Sequence, residues 1–404
     1  MKTIVIIGAA ATLLMPLRIA AQAQMETIYK FAGTPDGAAP QGLAAGPNGV
    51  LYGMTADGGS LGYGTVFQLT PPSTGSGPWT ESILYEFTSS GGGTNPFSAP
   101  VLGKDGSIYG ATGDVSTIFQ LQPPAAPDGA WTETVLYPPD EGDPVMEFDH
   151  GLIVGPNEEL YAAGFSGGDD SCGGVVGLTP PSVSGKWSVS MEYTFPGGNS
   201  GCKPTGIAIS ADGVIYGVTL YGGTYGQGIV FALTPSSVPY QYTETVLYNF
   251  TGGTDGGLPS EPPILVPIQN PDAALAIYGT TSAGGTAGFG GVFELLPNIY
   301  TNTWTESIAF SFVSGKLPSS ALLNYNGDFY GTMAAGTSPG DAGGSIFQLY
   351  PNYYGILNET ALHNFKGPAG PSGNLVMDKN GVLYGTTVAG PGPTGLGTVY
   401  RVKP

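Results

Sequence analysis

The sequence predicts an all-β fold, a seven-bladed β-propeller of four-stranded blades, and three observations lead to this prediction. The chain holds 68 Gly and 36 Pro among 404 residues, a frequency of helix breakers that disfavours long helices. It is nevertheless 41% hydrophobic and 11% aromatic, which is more apolar than a disordered chain. A Tyr-centred triplet such as that at residues 51–53 recurs seven times. Seven repeats, each long enough for four short strands, are typical of a propeller.

Each repeat is predicted to contain four strands, which we name A to D. Strand A is apolar and ends in a tight turn, and the Asn-Gly or Asp-Gly pairs found there favour a hairpin to strand B. Strand B carries the Tyr triplet, strand C a Gly-Thr-Val-Phe pattern and strand D a Thr-Glu-Thr-Val-Leu-Tyr pattern. The strand-B tyrosines are Tyr52, Tyr109, Tyr161, Tyr216, Tyr278, Tyr330 and Tyr384.

The two ends of the mature chain are expected to complete one blade together. Residues 25–31 have the pattern of strand D, with no A, B or C strand before them. Residues 397–402 have the pattern of strand C, with no D strand after them. Pairing these segments removes two open sheet edges, so the last blade is predicted to be closed by the N-terminal strand.

Residues 1–23 are predicted to be a signal peptide. Lys2 precedes an apolar run, and Ala21-Gln22-Ala23 is typical of a cleavage site. Arg18 interrupts the run, which argues against a retained membrane span. We therefore expect residues 24–404 to form one propeller domain, secreted or periplasmic, in a compartment where disulfides persist.

The charge balance narrows the possible partners. The chain has 11 Lys and Arg against 30 Asp and Glu, a net charge of −19. Nucleic acids and anionic membrane surfaces are bound through clustered basic residues, so both are excluded as partners. The expected partner is a glycan, a protein or a peptide, without membrane insertion, and we expect a monomer.

The repeat also resembles a known family. Residues 247–250 read Leu-Tyr-Asn-Phe, residues 383–387 Leu-Tyr-Gly-Thr-Thr and residues 64–67 Gly-Thr-Val-Phe, and these are similar to the GloVer tandem repeat of exported bacterial proteins. The resemblance covers nearly all of the mature chain. The third copy departs most, with Ala162 for the Gly and Gly177 for the Phe. The resemblance implies an exported repeat protein and assigns no reaction.

Residues that break the repeat are the candidates for a site. In a propeller, the B–C loops and the D–A crossovers lie on one face, which we call the crossover face. Around blade 3 these segments hold Asp140, Asp143, Asp169 and Asp170. Clustered carboxylates suit Ca²⁺, so these residues are a candidate calcium site; the alternative is a solvated acidic patch. The Glu that recurs in strand D is interpreted instead as a charged outer edge that blocks aggregation.

The loops of the same face also carry candidate ligand-binding aromatics. Phe165, Tyr221 and Tyr225 have no counterpart in the other repeats and could stack on a ligand. The strand-B tyrosines recur in every copy, so we assign them to packing between blades. Cys172 and Cys202 lie in segments that emerge on the crossover face, and we predict a disulfide between them.

Two classes of function stay open. The first is an exported, non-catalytic binding or scaffold protein that holds a glycan, peptide or ion with loops of one face. The second is an exported carbohydrate-active enzyme, a lyase or hydrolase, with its site at the mouth of the ring. Two His and few basic residues leave little material for an acid/base set, so we favour the first class and assign no catalytic residue.

Overall fold

A computed structural model shows a seven-bladed propeller built from 29 strands. It describes residues 23–89, 93–113, 116–126, 129–137, 146–148, 151–168, 170–182, 185–237, 241–270, 273–298, 300–301, 303–313, 316–335, 343–366, 370–389 and 395–404. The predicted signal peptide lies outside these residues, apart from Ala23. Within them, no helix has the length and apolar character that a membrane span requires.

Each blade is an antiparallel sheet in the spatial order A-B-C-D. The strands of blades 1 to 3 are β2 (Gly37–Ala45), β3 (Leu51–Gly58), β4 (Thr65–Thr70) and β5 (Thr80–Glu86); β6 (Val101–Leu102), β7 (Ile108–Ala111), β8 (Ile118–Gln122) and β9 (Thr132–Tyr137); and β10 (Leu152–Val154), β11 (Leu160–Gly164), β12 (Gly174–Thr179) and β13 (Ser188–Thr194). Blades 4 and 5 contain β14 (Cys202–Ile209), β15 (Ile215–Tyr221), β16 (Ile229–Pro235) and β17 (Tyr242–Asn249), then β18 (Ile264–Asn270), β19 (Ala273–Thr281), β20 (Gly291–Asn298) and β21 (Thr303–Ser311).

Blade 6 differs because its strand A is divided into β22 (Lys316–Pro318) and β23 (Leu323–Tyr325), which both pair with strand B. Its other strands are β24 (Asp328–Ala335), β25 (Ser345–Pro351) and β26 (Leu357–Asn364), and blade 7 contains β27 (Pro371–Met377), β28 (Leu383–Thr387), β29 (Thr398–Lys403) and β1 (Gln24–Lys30). Two short 3₁₀ helices, Pro47–Gly49 and Gly198–Ser200, complete the regular structure of the described segments.

The predicted closure is confirmed. Strand β1 pairs antiparallel with β29, from Gln24 opposite Lys403 to Lys30 opposite Thr398. Blade 7 is fastened to blade 1 at the inner edge as well, because the Asn374 side chain donates to the Leu43 carbonyl and accepts from the Leu43 amide, both at 3.1 Å. The ring is therefore joined at the outer edge by a backbone ladder and at the inner edge by a side chain.

The recurring Gly of strand B and Phe of strand C form one packing unit. Gly53 lies opposite Phe67 in the ladder, and a β-carbon on Gly53 would lie only 2.2 Å from the Cζ of that ring. The Phe67 side chain is fully buried and lies edge-on to Phe31 of blade 7. The same opposition occurs at Gly110 and Phe119, Gly217 and Phe231, Gly279 and Phe293, Gly331 and Phe347, and Gly385 and Tyr400.

Blade 3 alters this unit at both positions, and our sequence alignment of it was wrong by one residue. Ala162 replaces the Gly, but its ladder partner is Val176, whereas Gly177 lies opposite Tyr161. The residue that replaces the Phe is therefore Val176. Ala162, which is larger than Gly, is thus paired with Val176, which is smaller than Phe. The buried side chains of Met146 and Phe148 belong to the same hydrophobic cluster as Val176.

The strand-B tyrosines pack between blades, as predicted. The ring of Tyr109 in blade 2 meets Trp187 of blade 3 edge-on, with centroids 5.8 Å apart. Tyr216 and Trp304 repeat this contact between blades 4 and 5. These aromatic contacts cross the boundaries between blades 2 and 3 and between blades 4 and 5 and stabilise the packing of neighbouring sheets.

Candidate functional site

The centre of the ring contains a cavity of about 360 Å³. The A strands form the inner edges of the blades, and the cavity is lined by residues within these strands, such as Gln41, or just before them, such as Glu261. Six blades contribute to its lining, among them through Gln41, Ser98, Gly151, Glu261, Ser320 and Asn374. Hydroxyl and amide groups thus converge on a concave space, which is the usual character of a small-molecule site.

Glu261 is the titratable side chain among the described residues of this lining. Its side chain is partly exposed toward the cavity, and protein surrounds the rest of it. This burial raises the pKa of Glu261 to about 8. Glu261 was not among the predicted site residues, because the predicted acidic site lay around blade 3, in its B–C loop and in the crossover before it. The sequence does contain a signal. Glu261 lies two residues after Pro259, whereas blades 1, 4 and 6 have Gly or Ser two residues after the corresponding Pro.

A second cluster lies on the crossover face at the boundary between blades 3 and 4. The Nζ atom of Lys203 is 4.8 Å from the ring centroid of Phe165 and 5.8 Å from that of Tyr221. Tyr221 is 45% exposed, and Tyr225, further along the same loop, is 59% exposed. The structure therefore brings two of the three predicted aromatics together around Lys203, which was not predicted, whereas Tyr225 makes no such contact with Lys203. We call Phe165, Lys203 and Tyr221 the rim cluster.

The predicted disulfide between Cys172 and Cys202 is confirmed, with 4.5 Å between the Cα atoms. Cys172 belongs to the B–C loop of blade 3, and Cys202 is the first residue of β14 in blade 4, so the bond joins two blades. The Lys203 amide donates to the Cys172 carbonyl at 2.8 Å. Lys203 has a φ of +62°, in the left-handed region that side chains other than Gly rarely adopt. The disulfide and the hydrogen bond from the Lys203 amide together hold the rim cluster in place.

The candidate calcium site stays a prediction. Asp140, Asp143 and Asp169 lie outside the described residues, and Asp170 is exposed in its loop. Within the described segments, no three His, Cys, Asp or Glu side chains come together in a way that could hold a metal ion.

The recurring strand-D glutamates are not a simple charged edge. Glu81, Glu133, Glu244, Glu306 and Glu359 each bury their Oε1 atom without a hydrogen-bond partner. Two of them accept a hydrogen bond through Oε2 from a tyrosine of the preceding blade, Glu133 from Tyr85 at 2.8 Å and Glu244 from Tyr193 at 2.9 Å. Burial raises the pKa of Glu81 and of Glu306 to about 7. Glu26 differs, because Arg401 binds it at 2.7 Å and 2.8 Å.

Solved structures with the same architecture have little sequence in common with this chain. Virginiamycin B lyase from Staphylococcus aureus has a TM-score of 0.56 at 11% identity, and the match covers 95% of this chain and 99% of the lyase. An ancestral GH74 enzyme has a TM-score of 0.57 at 11% identity, over 94% of this chain and 51% of the enzyme. A protein from Lactobacillus plantarum has a TM-score of 0.54 at 14% identity, over 86% and 91%. These likenesses establish the fold alone.

No curated protein has a significant sequence match to the chain. One family model does match, that of the Gloeobacter/Verrucomicrobia repeat, over residues 269–404. This segment begins in blade 5 and contains all of β19 to β29, and blades 1, 2 and 4 repeat its packing unit of Gly and Phe. The resemblance of the chain to this family of tandem-repeat proteins, the GloVer repeat of the sequence analysis, is thereby confirmed.

Proposed function

We propose that the protein is an exported, non-catalytic binding propeller that holds a glycan on its crossover face. The observation that carries this proposal is the rim cluster, in which exposed tyrosine surface lies beside an aromatic-bound lysine. The C–H faces of a sugar ring are apolar and its edges carry hydroxyls. A tyrosine offers an apolar ring face and a hydroxyl in the same side chain, so Tyr221 and Tyr225 match both features of a sugar.

The rim cluster is also rigid, which favours binding. The Cys172–Cys202 bond and the Lys203 amide fix the backbone under the two rings before any ligand arrives. A site that is already ordered loses less conformational entropy when it binds, and more of the contact energy remains as affinity. The disulfide supports the exported location as well, because such bonds persist in oxidising compartments.

A glycan array followed by isothermal titration calorimetry tests the proposal. We expect the protein to bind a subset of oligosaccharides, and Tyr221→Ala and Tyr225→Ala each to weaken the binding by about tenfold or more, as central aromatic contacts do. Tyr353→Ala is the matched control, since Tyr353 is 81% exposed in the C–D loop of blade 6, on the opposite face.

Two results would contradict the proposal. One is the absence of glycan binding together with binding of peptides to the same loops. The other is glycan binding that the two crossover-face tyrosine variants leave unchanged, or that Tyr353→Ala weakens to the same degree.

A further inference from the structure

The central cavity holds a carboxyl group that has no partner within the described protein. No hydrogen bond or ion pair joins Glu261 to another described residue, and its raised pKa has burial as its cause, without a contribution from a neighbouring charge. The ion pairs of the described segments, Lys104 with Glu158 and Arg401 with Glu26, lie elsewhere. The carboxyl faces the cavity, protein encloses the rest of the side chain, and no described basic side chain pairs with it, so a cation inside the cavity is the group that would balance its charge.

The segment that carries Glu261 is fixed on both sides of that residue. The Thr205 hydroxyl of blade 4 donates to the Pro259 carbonyl at 3.1 Å. Pro262 packs against Gly206 so closely that a β-carbon there would lie 2.3 Å from the proline Cγ. Blade 4 therefore holds the backbone immediately before and after Glu261, and the position of the carboxyl in the cavity is defined by the fold.

The size and lining of the cavity indicate the class of ligand. Its volume of about 360 Å³ is the space of a small organic molecule and not of a bare ion. The described lining supplies one carboxyl group, from Glu261, and neutral oxygens, among them those of Gln41 and Ser320. Calcium usually takes more than one carboxylate, whereas one carboxylate with hydroxyl and amide oxygens matches the single charge and three N–H donors of an ammonium group.

We propose that the central cavity binds a small organic ammonium compound, with its charged nitrogen on the Glu261 carboxylate. This site is separate from the rim cluster and does not depend on glycan binding there. The neutral hydroxyl and amide groups of the other blades would receive the remaining N–H groups and the polar atoms of the ligand.

Binding of this kind is linked to a proton. Because enclosure by protein raises the pKa of Glu261 to about 8, the carboxyl holds a proton in part of the molecules at pH 7, and these molecules must release it to solvent as the ammonium group arrives. Among the described residues, the lining that the other blades contribute contains no titratable side chain. Complex formation at pH 7 should therefore release protons to the solvent, and their source is Glu261.

Calorimetry with glucosamine tests the proposal, and N-acetylglucosamine serves as the matched uncharged ligand. We expect glucosamine to bind at least about tenfold more tightly, as a charge-assisted hydrogen bond implies. Titration at pH 7 in two buffers of different ionisation enthalpy should show that binding releases protons. Putrescine provides a second ammonium probe without a sugar ring, and it separates recognition of the charge from recognition of a sugar.

Glu261→Gln keeps the shape of the side chain and removes its charge. We expect this variant to lose at least about tenfold in affinity for glucosamine and to release no proton. Glu306→Gln, at the outer edge of the same blade, is the control and should leave both quantities unchanged, and thermal melting verifies that each variant is folded. The proposal is overturned if neither probe binds at millimolar concentration, if glucosamine and its acetylated form bind equally, or if Glu261→Gln binds as well as the parent. Conversion of a probe into a product would also overturn it, because that would assign Glu261 to catalysis.

Discussion

The packing of Gly against Phe leads to a prediction about a pair of substitutions in blade 1. Gly53→Ala would place a carbon 2.2 Å from Cζ and 2.7 Å from Cε1 of Phe67, whereas carbon atoms normally approach to about 3.5–4.0 Å. The ring cannot escape, because Phe67 is fully buried and lies against Phe31. We therefore expect Gly53→Ala to lower the free energy of unfolding by about 1–3 kcal/mol or more, the usual cost of overpacking.

Blade 3 indicates how this loss can be reversed, since it contains Ala162 and Val176 at the equivalent positions. Phe67→Val alone should be destabilising because it leaves a void, although by less than the about 3–5 kcal/mol of a Phe→Ala change. In the double variant the new methyl group occupies part of that void. The combined loss should be smaller than the sum of the single losses by about 1 kcal/mol or more, within the range that contacting residues show.

Urea denaturation of the parent, the two single variants and the double variant measures this coupling. The control combines Phe67→Val with Gly331→Ala, the same substitution in blade 6, where Phe347 is the opposing ring. These two sites share no contact, so their effects should add to within about 0.5 kcal/mol. Additive losses at residues 53 and 67 would refute the reasoning, as would a neutral Gly53→Ala.

Three further predictions concern the disulfide, the outer carboxyls and the closure. Replacing Cys172 and Cys202 by Ser should lower the free energy of unfolding by about 2–4 kcal/mol, and a thiol assay of the unfolded, non-reduced parent should find no free thiol. Because burial raises the pKa of Glu81 and of Glu306 to about 7, the folded protein retains protons that the unfolded chain releases. The stability that these two protonated carboxyls contribute is complete at low pH and is lost as the pH rises from about 4.5 to about 7. The urea midpoint of unfolding should therefore be lower at pH 8 than at pH 5. Replacing both Glu81 and Glu306 by Gln should reduce this difference. Deleting residues 24–31 exposes the edge of β29 and should cause aggregation or a large fall in melting temperature, and an unchanged melting temperature would speak against the closure.

The fold was predictable because its signals are local and repeated. The Tyr triplet, the Gly-Thr-Val-Phe pattern and the turn residues each recur, and the backbone ladders follow them. The error at Gly177 arose because the most dissimilar blade offers no Phe to align, and only the ladder pairs Ala162 with Val176. The division of strand A in blade 6 was also not predicted, since its two halves depend on pairing with β24 and not on a residue pattern.

The site was predictable in part. Phe165 and Tyr221 stood out as aromatics without counterparts, and the disulfide followed from loops on one face. Lys203 was missed because its role depends on a left-handed backbone and on two rings from different blades. Glu261 was missed because its burial results from the convergence of six blades around one space, a property that no single repeat contains.

The pairing of β1 with β29 has a consequence for the order of folding. The residues it joins are more than 360 positions apart, whereas the other blades are formed by consecutive strands. Bringing the ends of such a long flexible chain together would cost about 5 kcal/mol or more in entropy, but this cost falls once six stacked blades hold the two ends close. Blade 7 should therefore assemble last and be the seam at which the ring first opens, and its amide hydrogens should exchange with solvent before those of blades 1 to 6.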